Sequence, residues 1–443
     1  MKIKQIVKLI GLDQDIIWTI YNKLWSGIKG SLIVVFVIKF LLPNEQGLWY
    51  TFISLGALKI FAELGFTSVI TQFVSHEFAN ISKENITVDS KERAKSRFFS
   101  LIKYSIRLYS YVVPIAIIIM IIIGGVYFRS NESRVFYAWI FFSIAGGCSL
   151  LLSLFQAIYK GLDKVKAIEK NLLLGSLLMG LGNCLFLFLD FKIWSLVISN
   201  ILGLFIMAFS LFKLDSEFWF EVINYKEKNK IYWGKEILNL QFRYAISWIS
   251  GYFIFSLIVP FLYKYEDPII AGQYGITFVV ISSVVGLAQA WIITKIPKFG
   301  ILVANKEKVR LNHLFKKSFV QGISIQICFS ILLMLGFVVL EYLNIFEERF
   351  LSLKLISLLL LIQIPVQIIN MLAIYLRAHK EEPYVILSLI SALVIVLGLF
   401  LVLKNYNLYF FLVYTAAAYY FFLLSYALIV FYKKKKLYKI KYL

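Results

Sequence analysis

The sequence is poor in the residues from which most catalytic and metal sites are built. Its 443 residues include three histidines and three cysteines. The cysteines, Cys148, Cys184 and Cys328, follow neither a metal-ligand nor a disulfide spacing. A phosphate-binding loop of the Walker type, a nucleophile constellation and a metal-ligand cluster are missing from the sequence. We therefore predict that the protein is not an enzyme, that it does not hydrolyse ATP, and that it has neither a cofactor nor a metal.

Charged residues are also scarce. They make up 16% of the chain, against 60% hydrophobic residues, whereas soluble proteins have about 25% and about 45–50%. Apolar runs recur along the chain, each long enough to cross a hydrocarbon core of about 30 Å. This composition predicts an all-α polytopic membrane protein. The net charge of +21 is then explained by basic loops on one side of a membrane, and a nucleic-acid partner is not expected.

The apolar runs predict twelve membrane-spanning helices. They lie at about residues 22–42, 48–74, 101–127, 135–158, 170–190, 193–212, 240–262, 268–293, 316–340, 351–376, 384–403 and 407–431. If the N-terminus is cytoplasmic, about four in five of the Lys and Arg residues outside these spans fall on the cytoplasmic side, as the positive-inside rule requires. We therefore expect both termini to be cytoplasmic.

Two pairs of segments suggest an internal repeat. AIYKGLDK at 157–164 resembles AIYLRAHK at 373–380, and EQGLWYTF at 45–52 resembles AGQYGITF at 271–278. They predict two six-helix lobes, residues 1–212 and 240–443, joined by a cytoplasmic connector at 213–239. Lobes with an even number of spans are related by a pseudo-twofold axis along the membrane normal. This is the architecture of a transporter, although a scaffold that does not transport is an alternative.

The stretch ALKIFAELG places Lys59 and Glu63 in the middle of a predicted span. A charge at that depth costs about 2.5–3.5 kcal/mol on insertion scales, so it needs a partner or a cavity. The two residues are one helical turn apart and can form a structural ion pair. Alternatively, Lys59 contacts an anionic group of a substrate, and Glu63 is its counter-ion or binds a coupling proton or cation.

Three further cations, Lys29, Arg107 and Arg243, lie in predicted spans. Each could extend its charge to the membrane interface. Taken together with Lys59, they outnumber the acidic residues in the spans and favour an anionic substrate such as a phosphate or pyrophosphate.

The tenth predicted span carries three amides, Gln363, Gln367 and Asn370. Their spacing places them on one face of a helix. They are expected to form either hydrogen bonds between helices or contacts with sugar hydroxyls. Pro365, between them, permits a kink.

Several segments together resemble a known family of transporters. They are LLPNEQGLWYTFISLGALKIFAELGFTSVITQFVS at 41–75, FQAIYKGLDK at 155–164, and the run from Gln241 to Gly300 that contains RYAISWISGYFIF, AGQYGITF and WIITKIPKFG. With them, the chain resembles the Wzx-type flippases of O-antigen and capsular polysaccharide repeat units, in the polysaccharide transporter branch of the superfamily of MATE exporters and lipid flippases. The likeness in length, spans and halves covers nearly the whole chain.

The resemblance implies a MATE-like fold in the bacterial inner membrane. It also implies that an undecaprenyl-pyrophosphate-linked oligosaccharide is moved from the cytoplasmic to the periplasmic leaflet by alternating access, with coupling to a proton or sodium gradient. A polysaccharide polymerase with its chain-length complex, and the surrounding membrane lipids, are the expected partners. The alternatives are a MATE-like exporter of organic cations, which would need acids in its cavity, and a lipid II flippase, a family that usually has fourteen spans.

Overall fold

The computed structural model describes residues 14–81, 88–128, 133–225, 232–293, 295–296, 299, 302–303, 307–343, 349–379 and 383–441. Over these ranges the chain is helical and contains no strand. The helices are α1 (Gln14–Phe40), α2 (Pro43–Gly56), α3 (Ile60–Glu63), α4 (Phe66–Ile81), α5 (Val88–Tyr127), α6 (Ser133–Gly161), α7 (Val165–Phe188), α8 (Ile193–Leu214), α9 (Ser216–Asn224), α10 (Trp233–Phe255), α11 (Ile258–Tyr265), α12 (Pro268–Ile293), α13 (Lys308–Tyr342), α14 (Leu353–Arg377), α15 (Val385–Gly398), α16 (Leu408–Ala417) and α17 (Leu424–Lys441). A 3₁₀ turn, Ala57–Lys59, joins α2 to α3, and π-helical segments follow α15 and α16.

Nine helices in the described ranges are long and apolar enough to cross a membrane, and a bent pair makes a tenth. The bent pair is Pro43–Glu63 with Phe66–Phe78, at 43° to each other. The predicted class, an all-α multi-pass membrane protein, is confirmed. Of the twelve predicted spans, nine correspond to such helices, and a tenth corresponds to the bent pair.

Two predicted spans differ from the prediction. Span 22–42 corresponds to α1. This helix carries polar residues such as Asn22 and Lys29 and is not among the apolar helices found in the described ranges. Span 240–262 is divided between α10 and α11 at residues 256–257. A short break of this kind is invisible in hydropathy, because hydropathy is averaged over a window of residues.

Contacts divide the chain into two compact units. Unit 1 comprises Met1–Leu41 and Leu55–Ile249, and unit 2 comprises Leu42–Ser54 and Ser250–Leu443. These boundaries follow contacts, whereas the predicted lobes follow the sequence repeat. They differ because the first part of α2 packs with the second half of the chain.

In unit 1, small residues allow close packing of helices. A Cβ atom at Gly175 of α7 would lie 2.3 Å from the side chain of Met207 in α8, and one at Gly180 would lie 2.7 Å from Lys29 of α1. Small residues at helix interfaces are the usual means by which membrane helices approach each other, since lipid supplies no hydrophobic driving force between them. The charged side chain of Lys29 is thereby held in the α1–α7 interface.

In unit 2, the two segments that the repeat analysis paired pack against each other. A Cβ atom at Gly47 of α2 would lie 1.9 Å from the carbonyl oxygen of Pro268, and one at Gly272 of α12 would lie 2.7 Å from the Gly47 nitrogen. A Cβ atom at Gly275 would lie 2.5 Å from that of Tyr50. The glycines of EQGLWYTF and AGQYGITF therefore allow contact between the backbones of α2 and α12.

Candidate functional site

The bent span formed by α2, α3 and α4 is broken at Leu64 and Gly65. Both residues have positive φ angles, 48° and 72°, a conformation that glycine adopts readily and leucine rarely. The Leu64 N–H donates to the carbonyl of Ile60 and so ends α3. The carbonyl of Gly65 accepts from Ser68 and so begins α4. The break places Glu63 beside the first turn of α4.

Glu63 is bound at this break by a neighbouring hydroxyl. The Thr67 hydroxyl, in the first turn of α4, donates a short hydrogen bond to the Glu63 carboxylate. The positive end of a helix dipole lies at its N-terminus and stabilises a carboxylate there. The hydroxyl of Tyr109 on α5 is buried and has no hydrogen-bond partner among the described residues, and it interacts electrostatically with Glu63. The Glu63 carboxylate therefore lies at the break of the span, bound by the Thr67 hydroxyl.

Lys59 bonds to a hydroxyl rather than to Glu63. Its Nζ atom donates to the Ser149 hydroxyl of α6 at 3.2 Å. Glu63 attracts it at longer range, but across the described ranges the two do not form an ion pair within 4.0 Å. The two residues lie one helical turn apart, but their side chains bond to different partners, Lys59 to Ser149 of α6 and Glu63 to Thr67 of α4.

Lys29 has the same type of partner. Its Nζ atom donates to the Ser176 hydroxyl of α7 at 3.2 Å. Two turns earlier in the same interface, Asn22 donates to the Glu169 carboxylate at 2.7 Å, and Lys160 pairs with Glu169 at 2.9 Å. The acid of this interface is thus bound at another level, and Lys29 has no carboxylate within 4.0 Å among the described residues.

Cations near the predicted cytoplasmic helix ends do have carboxylate partners. Arg97 of α5 bonds to Glu77 at 3.1 Å and to Glu236 at 3.0 Å. Lys164 pairs with Asp215, the residue that caps α9. This hydrogen bond from Lys164 is the main reason why the pKa of Asp215 is lowered. The contrast indicates that acids neutralise the ends of unit 1 but not its intramembrane lysines.

Of the other two predicted cations, Arg107 and Arg243, the structure describes the side chain of Arg107 alone. Arg107 of α5 is exposed, and its side chain has no hydrogen bond or ion pair to any described residue. Arg243 lies in α10, but its side chain is outside the part of the chain that the structure describes. The structure therefore groups Lys29, Lys59 and Arg107 in unit 1 without showing that they converge on one ligand.

The three amides of α14 lie in unit 2 with different surroundings. Gln363 lines a cavity of about 30 Å³, together with Tyr274, Thr415 and Tyr419. Gln367 is fully buried, and Asn370 is half-buried. Contact with a sugar remains a prediction for all three, and in this structure Gln367 is enclosed by protein.

Sequence reasoning missed the hydroxyl partners of the charged residues. Ser149, Ser176 and Thr67 lie in apolar helices, where a serine or threonine usually bonds to its own backbone. A serine that is 90 or 147 residues away in the sequence carries no signal that it faces a lysine. The missed residues are therefore visible only once the helices are packed.

The described structure is similar to solved transporters over most of its length. It matches an inward-facing multidrug resistance MATE family transporter of the MOP superfamily with a TM-score of 0.68 and 14% identity, over 94% of this chain and 95% of that chain. It matches the lipid II flippase MurJ in an inward closed conformation with a TM-score of 0.66 and 16% identity, over 96% and 91%. A Pyrococcus furiosus transporter of the MOP superfamily, with a binding pocket of reverse polarity, matches with a TM-score of 0.53 and 11% identity, over 98% of both chains.

These likenesses show the fold. No family model and no curated protein matches the sequence. The predicted MATE-like fold is confirmed, while the specific flippase family indicated by the sequence remains a prediction.

Proposed function

We propose that this protein flips an undecaprenyl-pyrophosphate-linked oligosaccharide, an O-antigen or capsule precursor, from the cytoplasmic to the periplasmic leaflet of a bacterial inner membrane. The observation that supports it is which groups bind the lysines of the predicted spans. Lys29 and Lys59 bond to serine hydroxyls and, within the described ranges, to no carboxylate. A charge in a low-dielectric interior strongly attracts an opposite one, so these ammonium groups favour an anionic headgroup.

A pyrophosphate diester fits this requirement better than an organic cation does. It carries two negative charges and several acceptor oxygens, and lysine is a compact point charge that binds phosphate oxygens. A transported cation would instead be repelled by Lys29 and Lys59. The amides Gln363 and Asn370 of unit 2 are the proposed contacts for sugar hydroxyls, because an amide both donates and accepts hydrogen bonds.

We assign coupling to Glu63. Its carboxylate accepts from Thr67 at the start of α4, next to the break in the span. Protonation would remove the charge that attracts Lys59 and would free that lysine for the headgroup. Binding of a proton at Glu63 and binding of the anionic headgroup at Lys59 would then favour each other, and loss of the proton would favour release of the headgroup. Both termini are proposed to be cytoplasmic, and a polymerase with its chain-length complex would receive the flipped lipid.

A lipid II flippase is the second candidate, because lipid II has the same undecaprenyl-pyrophosphate headgroup and the structure has the fold of MurJ. The headgroup argument applies equally to both. They differ in the sugar, which only the identity of the accumulated lipid can reveal.

The experiment removes the gene from a bacterium whose surface polysaccharide pathway is intact. Undecaprenyl-linked oligosaccharides are extracted, assigned to a leaflet by an impermeant probe, and identified by mass. Repeat units that accumulate on the cytoplasmic side and are cleared by the wild-type gene would support the proposal. Accumulated lipid II would favour the second candidate. Normal translocation in a strain without a redundant flippase would refute both.

A further inference from the structure

Two glutamines in the middle of unit 2 are buried without hydrogen-bond partners. Gln326 of α13 is 1% exposed and Gln367 of α14 is 0% exposed. Both the amide nitrogen and the amide oxygen of each side chain have no partner among the described residues. An unsatisfied buried amide costs about 1–3 kcal/mol, and native proteins rarely leave one. Four such atoms on two neighbouring helices indicate that something else binds them.

The register of the helices places the two amides at one level. Helices α13 and α14 are consecutive and antiparallel, and a Cβ atom at Gly322 would lie 2.3 Å from the methyl group of Met371. Gln326 is one turn beyond Gly322 along α13. Gln367 is one turn before Met371 along α14. Because the two helices run in opposite directions, one turn forward along α13 and one turn back along α14 move the same distance in the same direction, which places Gln326 and Gln367 at the same level.

The third helix at this level, α12, provides no polar partner. Its Ala288 carbonyl lies 3.4 Å from a Cβ atom at Gly322, and since α12 is antiparallel to α13, one further turn leads to Val284 and Val285. Neither valine side chain can donate or accept a hydrogen bond. The described part of α12 therefore brings no side-chain partner to Gln326 and Gln367 at this level.

Unit 1 contains a comparable pair of amides that bond to each other. The amide nitrogen of Gln156 donates to the side-chain amide oxygen of Asn171 at 3.1 Å. Asn171 in turn donates to Ser210 and, at 2.7 Å, to the backbone carbonyl of Met207. Two amides on packed membrane helices can thus bond directly to each other. The absence of such bonds between Gln326 and Gln367 therefore needs an explanation.

We propose that Gln326 and Gln367 form a binding site for ordered water in the middle of unit 2. Water both donates and accepts, so it can satisfy the nitrogen and the oxygen of each amide, whereas a cation would bind the oxygens alone. A buried water typically makes about three hydrogen bonds, which the facing amides can supply. One turn from Gln367, the 30 Å³ cavity beside Gln363 can hold about one more water.

The test uses radiolytic labelling of the full-length purified protein in H₂¹⁸O, with methionine oxidation as the readout. Met371 is 0% exposed and Met207 is 7% exposed, so exposure to bulk solvent predicts that Met207 is oxidised at least as fast. Water bound at Gln367, one turn from Met371, predicts instead that Met371 is oxidised several-fold faster than Met207 in the wild-type protein. If Met371 is labelled no faster than Met207, the proposal is wrong.

Variants locate the water. Gln326→Leu and Gln367→Leu, alone and together, should lower the labelling rate of Met371 toward that of Met207 and leave Met207 unchanged. Unchanged Met371 labelling in the double variant would also refute the site. If replacing choline chloride by sodium chloride raises the melting temperature of the wild type but not of the double variant, a cation binds there instead and the assignment to water is wrong.

Discussion

The ammonium group of Lys29 on α1 donates a hydrogen bond to the hydroxyl of Ser176 on α7, 3.2 Å away. Seven residues earlier in each helix, Asn22 bonds to Glu169 across the same interface. One interface of unit 1 thus contains a carboxylate at one level and a lysine at another, and they do not meet. The lysine keeps its charge available, at a cost in stability.

This cost leads to the first prediction. Replacing Lys29 by Met should raise the free energy of unfolding by on the order of 1 kcal/mol, because an unneutralised charge leaves the membrane interior. It should lower transport of the anionic lipid. The control is Lys160→Met, which leaves Glu169 short of its cation and should lower the melting temperature. A Lys29→Met protein that is less stable than the wild type would contradict this account.

The second prediction concerns Glu63. The variant Glu63→Gln keeps the shape of the side chain and can still bond to Thr67, but it cannot exchange a proton. In proteoliposomes it should transport without responding to an imposed proton or sodium gradient. Glu217→Gln, at an exposed acid of α9, should respond as the wild type does. A full gradient response in Glu63→Gln would exclude this carboxylate as the coupling group.

The third prediction separates a buried partner of Arg97 from an exposed one. The Glu77 side chain is 6% exposed and the Glu236 side chain is 44% exposed. Arg97→Gln should lower the free energy of unfolding by about 2–3 kcal/mol, because it leaves a buried carboxylate without its cation. Glu236→Gln should cost less than about 1 kcal/mol, as surface pairs usually do.

A double variant tests the cause. In Arg97→Gln with Glu77→Gln, the buried charge is removed as well, so part of the lost stability should return. Thermal unfolding of the four proteins in one detergent measures the effect. If the double variant is no more stable than Arg97→Gln alone, the loss does not come from the unpaired carboxylate, and the packing of Arg97 on Trp233, 4.7 Å from its ring, becomes the explanation.

The fourth prediction is a pH dependence at the start of α9. Lys164 lowers the pKa of Asp215 in the folded protein, so folding favours the ionised form. The resulting stability is complete above the ordinary pKa of about 3.9 and is lost as the pH falls through the lowered pKa. The effect should be below about 1 kcal/mol, because both side chains are partly exposed.

Two substitutions separate charge from capping at this position. Asp215→Asn should abolish the acid-dependent part of the melting curve but still accept the hydrogen bond of the Phe218 N–H. Asp215→Ala should lose that bond too, at a further cost of about 1 kcal/mol at every pH. Equal melting temperatures for the Asn and Ala variants would show that the cap contributes nothing measurable.

The fifth prediction tests the contact between the repeated segments. Gly47→Ala should destabilise unit 2 severely, since the added Cβ atom would lie 1.9 Å from a backbone oxygen that cannot move aside easily. Gly336→Ala, where a Cβ atom meets nothing within 4 Å, should be neutral or stabilising by up to about 1 kcal/mol. Expression level and melting temperature distinguish the two. A Gly47→Ala protein as stable as the wild type would contradict the close approach of α2 to α12.

The number of helices and their apolar character follow from sequence alone, with two exceptions that have physical reasons. Transfer of a segment into a membrane depends on the sum of its own residues, and such a sum can be read without knowing any neighbour. Span 22–42 is uncertain because polar residues around Lys29 reduce that sum. The break between α10 and α11 depends on backbone angles, which a hydropathy average does not contain.

The sequence identified the charged residues of the candidate site but not the groups that they contact. Lys29, Lys59 and Glu63 attract attention in sequence because charges are expensive inside a membrane. The possible pairing of Lys59 with Glu63 followed from their spacing of one helical turn. In the structure a hydroxyl on another helix binds each of them, Ser149 for Lys59 and Thr67 for Glu63. Gln326 drew no attention, since one amide in an apolar helix is not unusual.

The sequence by itself determined that this is an all-helical multi-pass membrane protein with a basic balance of charge and cations within its spans. Only the tertiary structure decided which groups these cations meet. The partners of Lys29 and Lys59 are 147 and 90 residues away. Which residues meet across two helices depends on how those helices pack, for example where Gly180 of α7 lets Lys29 of α1 approach. Hydropathy sums the residues of one segment, so it predicts a span without knowledge of the other helices. A hydrogen-bond partner is determined by positions in space, so it becomes known only when the helices are packed.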